Sequence, residues 1–269
     1  MIAIKTSQEI KIMQEGGKIL SGALWEVVRS IRPGISELEL DEIAEKFIVQ
    51  AGGEPGFKRV QGYKHTICIS TNDVVVHGIP TRYKLKEGDI VGIDCGVFYK
   101  GFHTDMSETL RVKSQISRLP KPGTGGQANL KSQKDDIDKF LEIGKNALNE
   151  AIKQAKAGNH VGDISNTIQD IVERQRQGYS VVRSLVGHGV GRQLHEEPEV
   201  PGYLVGKLEK TPLLKEGMVI AIEVIYNMGG PELKLDDDGW TMRTKDKSLS
   251  GLFERTVAIA QNGPLILTF

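Results

Sequence analysis

The feature that most constrains the fold is an internal repeat. Lys86-Glu87-Gly88-Asp89-Ile90-Val91-Gly92-Ile93-Asp94 returns as Lys215-Glu216-Gly217-Met218-Val219-Ile220-Ala221-Ile222-Glu223, and upstream Ala23-Leu24-Trp25-Glu26 returns as Ala147-Leu148-Asn149-Glu150. The two offsets, 129 and 124 residues, nearly agree, so the segments lie in register within two similar halves. Each half reads as helix, helix and then strands. Such a repeat predicts one α+β domain over residues 1–269 with internal pseudo-symmetry, not two unrelated domains.

The local patterns agree with that division. Apolar residues at Ile10, Met13, Ile19, Leu20, Leu24, Val27 and Val28 follow an N-cap pattern at Ser7, and Arg32-Pro33-Gly34 stops the run. Ser36 with Glu39 forms a capping box for a second helix through Leu38, Ile43, Phe47 and Ile48. From Thr66 short β-branched runs take over, at Ile67-Cys68-Ile69, Val74-Val75-Val76 and Ile90-Val91-Gly92-Ile93. Residues 113–134, rich in Ser, Gly, Pro, Gln and Lys without apolar period, read as a flexible surface insertion. Helical periodicity resumes at Ile137, Phe140, Leu141, Ala147, Leu148 and Ile152, then at Ile164, Ile168, Ile171 and Val172, and strands return after Gly178.

The repeat puts a carboxylate, Asp94 or Glu223, at the end of an apolar strand run in each half, where burial is costly unless the group is paired or bound to a cation. Asp105, beyond the turn containing Gly101, can fold back beside Asp94 in a hairpin. Glu254 stands in the same relation to Glu223 past the turn signal Asp236-Asp237-Asp238-Gly239. Four such carboxylates cannot all be ionised in a dry cleft without cations. Hard oxygens with one or two imidazoles suit Mn, Fe, Co or Zn in a two-metal site. His188, between Gly187 and Gly189, is the best imidazole candidate; His77 and His195 also follow apolar residues and precede Gly or Pro turns, while His65, His103 and His160 read as surface or local hydrogen-bonding residues.

Other chemistries find little support. Gly187-x-Gly189-x-Gly191 is followed by Arg192 and is no dinucleotide fingerprint, and His195-Glu196 lacks the second His of HExxH and meets Pro198. The 35 basic and 35 acidic residues leave no global field for nucleic acid or an anionic membrane. Two cysteines, Cys68 and Cys95, are too few for a disulfide scaffold, read as buried small hydrophobes and fit a reducing cytoplasm. No run is long enough to span a membrane, and the polar N-terminus resembles no signal peptide.

Asp94, Asp105, His188, Glu223 and Glu254, within Gly92-Ile93-Asp94-Cys95-Gly96, His103-Thr104-Asp105, Gly187-His188-Gly189-Val190-Gly191-Arg192, Ala221-Ile222-Glu223 and Phe253-Glu254-Arg255-Thr256, resemble the methionine aminopeptidases of the pita-bread metallopeptidase family. The resemblance spans nearly the whole chain, and Val76-His77-Gly78-Ile79-Pro80 and Gly239-Trp240-Thr241 share it. It implies two pseudo-symmetric halves with a curved antiparallel sheet covered by helices, as in the creatinase/aminopeptidase-like fold. It also implies two divalent ions, Co, Mn, Fe or Zn, bridged by Asp105 and Glu254, with Asp94 on one and His188 with Glu223 on the other. A metal-activated hydroxide would then attack the bond after an N-terminal methionine, with Glu223 as proton shuttle and His195 and His77 touching the substrate. Tyr63, Cys68, His77 and Trp240 would line the methionine pocket.

Val60 and Leu194 stand where relatives usually have aromatics, Arg255 replaces a frequent His, and the 113–134 segment exceeds the usual connection. By the same resemblance the chain is expected to be a cytoplasmic, type I-like monomer. It would act on nascent polypeptide N-termini with small second residues, at the ribosome exit. Prolyl-type relatives generally carry an extra N-terminal domain, whereas 93 residues precede Asp94 here; type II forms have an insertion before the last ligand, whereas Glu223 and Glu254 are 31 residues apart. A non-catalytic ribosome- or RNA-binding relative would show lost ligands and a basic surplus, and neither is seen.

Overall fold

A computed structural model describes residues 2–113, 136–173 and 178–269. The first half runs through helices α1 (Ser7–Ser30) and α2 (Glu37–Gln50) into strands β1 (Glu54–Pro55), β2 (Ile67–Thr71), β3 (Val74–Val76), β4 (Ile90–Tyr99) and β5 (Phe102–Arg111). The second half repeats the plan with α3 (Asp136–Gln154) and α4 (Val161–Glu173). Strands β6 (Ser180–Val181), β7 (Val186–Gly189), β8 (Glu196–Pro201), β9 (Val219–Asn227), β10 (Leu233–Leu235), β11 (Met242–Thr244), β12 (Ser250–Ala260) and β13 (Gly263–Ile266) follow. The 113–134 insertion, apart from Lys113, lies outside the described residues.

Both N-terminal helices start on reciprocal capping boxes. For α2 the box is Ser36 with Glu39, as its sequence predicts; for α1 the cap is Thr6 with Glu9, one residue before the expected Ser7, because Glu9 must sit three residues after the cap. The repeated Ala23-Leu24 and Ala147-Leu148 occupy matching places on α1 and α3, and all four are buried against the sheet. The repeat is thus a repeat of packing.

The main sheet is antiparallel, in the order β1-β4-β5-β12-β9-β7-β8, with β2 on β4, β6 on β9 and β13 on β12. Helices α1 and α2 share a core with Ile93, Cys95 and Met106, whereas α3 and α4 share one with Ile222, Val224 and Phe253. Because side chains alternate along a strand, Asp94, between Ile93 and Cys95, and Glu223, between Ile222 and Val224, face away from the helices.

The link from Glu223 to Glu254 is more elaborate than the expected tight turn. Asp236–Gly239 forms the tip of a β10–β11 hairpin, with the Asp236 amide donating to the Thr241 carbonyl at 2.9 Å. Strand β11 then pairs with β3, so this second-half hairpin completes a small sheet with the first half.

Candidate metal centre

Strand register assembles the carboxylates. Asp94 on β4 is opposite Ser107 on β5, Ser107 is opposite Glu254 on β12, and Glu254 is opposite Glu223 on β9. Directly opposed residues of antiparallel strands project to the same face, so Asp94, Ser107, Glu254 and Glu223 form one transverse row. Asp105, two residues before Ser107, lies on that face in the next row, opposite Gly96. His188 comes in from β7, opposite Ala221. Gly187 beside it is required by space: a Cβ there would stand 2.5 Å from the Ala221 carbonyl oxygen.

Ligand atoms of Asp105, His188 and Glu254 lie within 4.8 Å of one another, and His188 Nε2 is 3.9 Å from Glu223 Oε1. All three residues of that group are buried. Burial, followed by the charges of Asp105 and Glu223, pushes Asp94 and Glu254 well above the carboxylate range. Burial raises Asp105 to about 7, against the opposing effect of the Met106 amide, and burial with the Asp105 charge raises Glu223 to about 8. His188 moves the other way: burial, then neighbouring His195, lowers it to about 4. Its Nδ1 lies 2.8 Å from the Gly189 carbonyl, which sets the tautomer with Nδ1–H donating, while burial keeps the ring neutral and leaves Nε2 free to ligate.

These residues fit a divalent metal pair. Asp94 Oδ1 is buried without a hydrogen-bond partner, and the donors are carboxylate oxygens and one neutral imidazole, the set suited to Mn, Fe, Co or Zn.

A cavity of about 140 Å³ opens onto the cluster. Its lining includes the expected Tyr63, Cys68, His77, His195 and Trp240, together with Val60 and Leu194. The Tyr63 ring meets Trp240 edge-on at 5.2 Å between centroids, and its hydroxyl donates to the Ile67 carbonyl at 2.8 Å. Trp240 is held by Asp238, whose Oδ1 accepts from the amides of Trp240 and Thr241 at 2.8 Å each. His77 adopts φ 55°, unusual outside glycine, and next to it a Cβ on Gly78 would lie 1.9 Å from the Ile69 carbonyl oxygen. The His195 ring stacks edge-on to His188 at 4.4 Å.

Four side chains differ from the sequence reading or are missing from it. His103 is not a surface residue: it is 5% exposed, on the same face of β5 as Asp105, with its ring 4.8 Å from Phe98. Arg255 points to the helix side, where it donates to the carbonyls of Ser107 and Glu254 and to the Glu108 carboxylate, and so meets Glu254 through its main chain. Phe57 and Leu252 also line the cavity. Phe57 opens a single 3-10 turn, Phe57–Arg59, too short for any period to flag it, whereas Leu252, two before Glu254, could have been found from strand alternation.

An antiparallel sheet carrying a row of inward carboxylates, completed by an imidazole and opening on a largely apolar cavity, defines a metal-dependent hydrolase of the pita-bread fold. The chain belongs to metallopeptidase family M24, whose pattern matches residues 11–259, and within it to the methionine aminopeptidases. It is 44% identical to a methionine aminopeptidase of Clostridium perfringens, over 100% of this chain and 99% of that one. The crystal structure of methionine aminopeptidase from Thermotoga maritima superposes with a TM-score of 0.88 at 37% identity, covering 100% of this chain and 99% of that one. The prolidase from Pyrococcus furiosus shares the fold, with a TM-score of 0.73 at 24% identity, but 99% of this chain covers only 65% of that one.

Proposed function

We infer that this chain is a metal-dependent aminopeptidase that removes the N-terminal methionine from polypeptides, with a preference for a small second residue. The observation that carries the reading is the complete set of Asp94, Asp105, His188, Glu223 and Glu254 gathered on one face of the sheet beside an apolar cavity.

Asp94, Asp105, His188, Glu223 and Glu254 would hold the two ions. Such a pair would lower the pKa of water from about 15.7 toward about 7 and polarise a carbonyl oxygen. The chain's own groups do the rest. The Glu223 carboxylate takes the proton of the attacking water and returns it to the leaving amine. His195 and His77, which border the cavity from opposite chain segments, contact the scissile carbonyl and the nitrogen of the leaving residue. Tyr63, Trp240 and Cys68 receive the methionine side chain, whose thioether suits aromatic walls.

Nascent polypeptides at the ribosome exit are the proposed substrates, the cytoplasm the proposed location and a monomer the proposed state. No helix among the described residues is long and apolar enough to cross a membrane. The deciding assay incubates metal-loaded protein with Met-Ala-Ser and with Xaa-Pro peptides. Release of methionine from the first is expected; cleavage before proline without methionine release would overturn the reading.

A further inference from the structure

The two halves meet between β5 and β12, and this seam is built differently from the hairpins on either side. Within the first half, β4 and β5 pair continuously from Ile90 with Arg111 to Tyr99 with Phe102; within the second, β9 and β12 pair from Asn227 with Ser250 to Val219 with Ala258. Across the seam the described ladder holds only Ser107 with Glu254 and Met106 with Arg255.

On each side of that short ladder a threonine hydroxyl takes over. The Asp105 amide donates to Thr256 Oγ1 at 2.9 Å, and the same hydroxyl donates to the Asp105 carbonyl at 2.8 Å. In the other direction, the Leu252 amide donates to Thr109 Oγ1 at 2.9 Å, and that hydroxyl donates to the Leu252 carbonyl at 2.7 Å. The arrangement is symmetric about the Ser107–Glu254 pair: Thr256 and Thr109 each stand two residues past it on their own strand. A hydroxyl suits the task because it is at once donor and acceptor. One side chain thereby saturates both main-chain groups of the residue opposite while holding the strands apart by its own length.

The two threonines hold different things. Thr109 grips Leu252, a wall of the cavity. Thr256 grips Asp105, whose carboxylate oxygen lies within 4.8 Å of donor atoms on His188 and Glu254. Thr256 is itself fixed, since its amide donates to the buried hydroxyl of Thr268 at 2.9 Å. Through this chain of contacts the first half's Asp105 is referenced to the second half's Glu254.

The geometry points to Thr256 as a positioning residue for the metal centre: its two-way hydrogen bond to Asp105 sets the distance across the seam between Asp105 and Glu254, two of the residues that would hold the metal. This rests on the metallopeptidase reading above. Outer partners that orient metal ligands typically contribute 10–100-fold to affinity. Thr256→Val keeps the shape without the hydroxyl and removes the partner of the Asp105 amide and carbonyl.

The test titrates metal-free wild type, Thr256→Val, Thr256→Ser and Thr109→Val with Co²⁺ by calorimetry and melts each variant thermally. Both valine variants should melt lower than wild type. Thr256→Val alone should bind Co²⁺ about 10-fold or more weakly, Thr256→Ser should bind within about 2-fold of wild type, and Thr109→Val should keep its metal affinity and change KM for Met-Ala-Ser instead. Wild-type affinity in Thr256→Val, or equal losses in the two valine variants, would overturn the proposal while leaving the function intact. If Thr256→Val does not fold, a tenfold loss in Thr256→Ser, which keeps the hydroxyl, overturns it instead. A wild-type protein that binds no divalent ion would sink the functional reading itself.

Discussion

Glu223 and Glu254 stand directly opposite one another on adjacent strands, with the His188 ring 3.9 Å from Glu223. Two facing carboxylates repel, and in this pair burial adds to the cost, so the oxygens favour protons unless the proposed metal ions take their place.

Metal removal should therefore make stability depend on pH with a definite sign. In the metal-free protein Glu223 is raised to about 8 and Asp105 to about 7, above the ordinary values of an unfolded chain. The folded state then binds more protons than the unfolded one in between. Its stability is full below the unfolded carboxylate range and falls as pH rises through about 7 to 8. Thermal melting of chelator-treated protein should show Tm lower at pH 9 than at pH 5.5 by roughly 5 °C. Added Mn²⁺ or Co²⁺ should abolish the drop; a Tm that rises with pH without metal would contradict the assignment.

Asp105→Ala removes one of the two carboxylates grouped with His188 within 4.8 Å. Metal content and turnover should fall together, turnover by on the order of 100-fold or more, since a lost ligand exceeds the cost of a lost outer partner. Elemental analysis beside Met-Ala-Ser hydrolysis checks this. Full metal content with lost turnover would assign Asp105 a role other than ligand.

Trp240 forms one wall of the cavity against the Tyr63 ring. Trp240→Ala should raise KM for methionyl peptides about 10-fold with a smaller change in kcat, because burying a side chain of methionine's size is worth about 1.5–3 kcal/mol. Steady-state kinetics give the split. A kcat loss at unchanged KM would show that Trp240 acts on the reacting bond.

How much of this is written in the chain depends on how far apart the partners are. Ser36 and Glu39 announce a helix start because capping is local, and the repeated Gly88 and Gly217 segments announce two equivalent strands. Asp94 and Asp105 are brought together by one hairpin, so the alternation of β4 and β5 suffices to place them on one face. The row across the seam needs more. Ser107 separates Asp94 from Glu254, and its register is fixed by hydroxyl bridges between residues 143 and 151 positions apart, which no local pattern encodes. The β10–β11 hairpin escaped for the same reason: its partner strand β3 is in the other half. His103 looks polar in sequence, but the strand that carries Asp105 inward carries it too.

Lys5 and Glu196 form an ion pair at 2.7 Å with side chains only 5% and 14% exposed, tying the N-terminal segment to the loop that carries His195. The carboxylate also accepts from the Gln193 amide at 3.1 Å, so it braces the turn just before His195. Burial alone would raise Glu196, but the hydrogen bond from Lys5 and those from the Gln193 and Arg192 amides outweigh it and hold the pKa below the ordinary glutamate value. The stability this contributes is present above the unfolded glutamate pKa and is lost as pH falls through the lowered folded value. Lys5→Met keeps the aliphatic bulk and leaves a half-buried carboxylate without its cation, at a cost of about 1–2 kcal/mol near neutral pH. Chemical denaturation at pH 7 should show that loss, shrinking at pH 4, where Glu196 of the variant can take a proton. If His195 touches the scissile carbonyl, the variant should also lose several-fold in kcat/KM for Met-Ala-Ser with metal content unchanged. Equal stability to wild type at pH 7 would mean that the pair neither braces the loop nor stabilises the N-terminal segment.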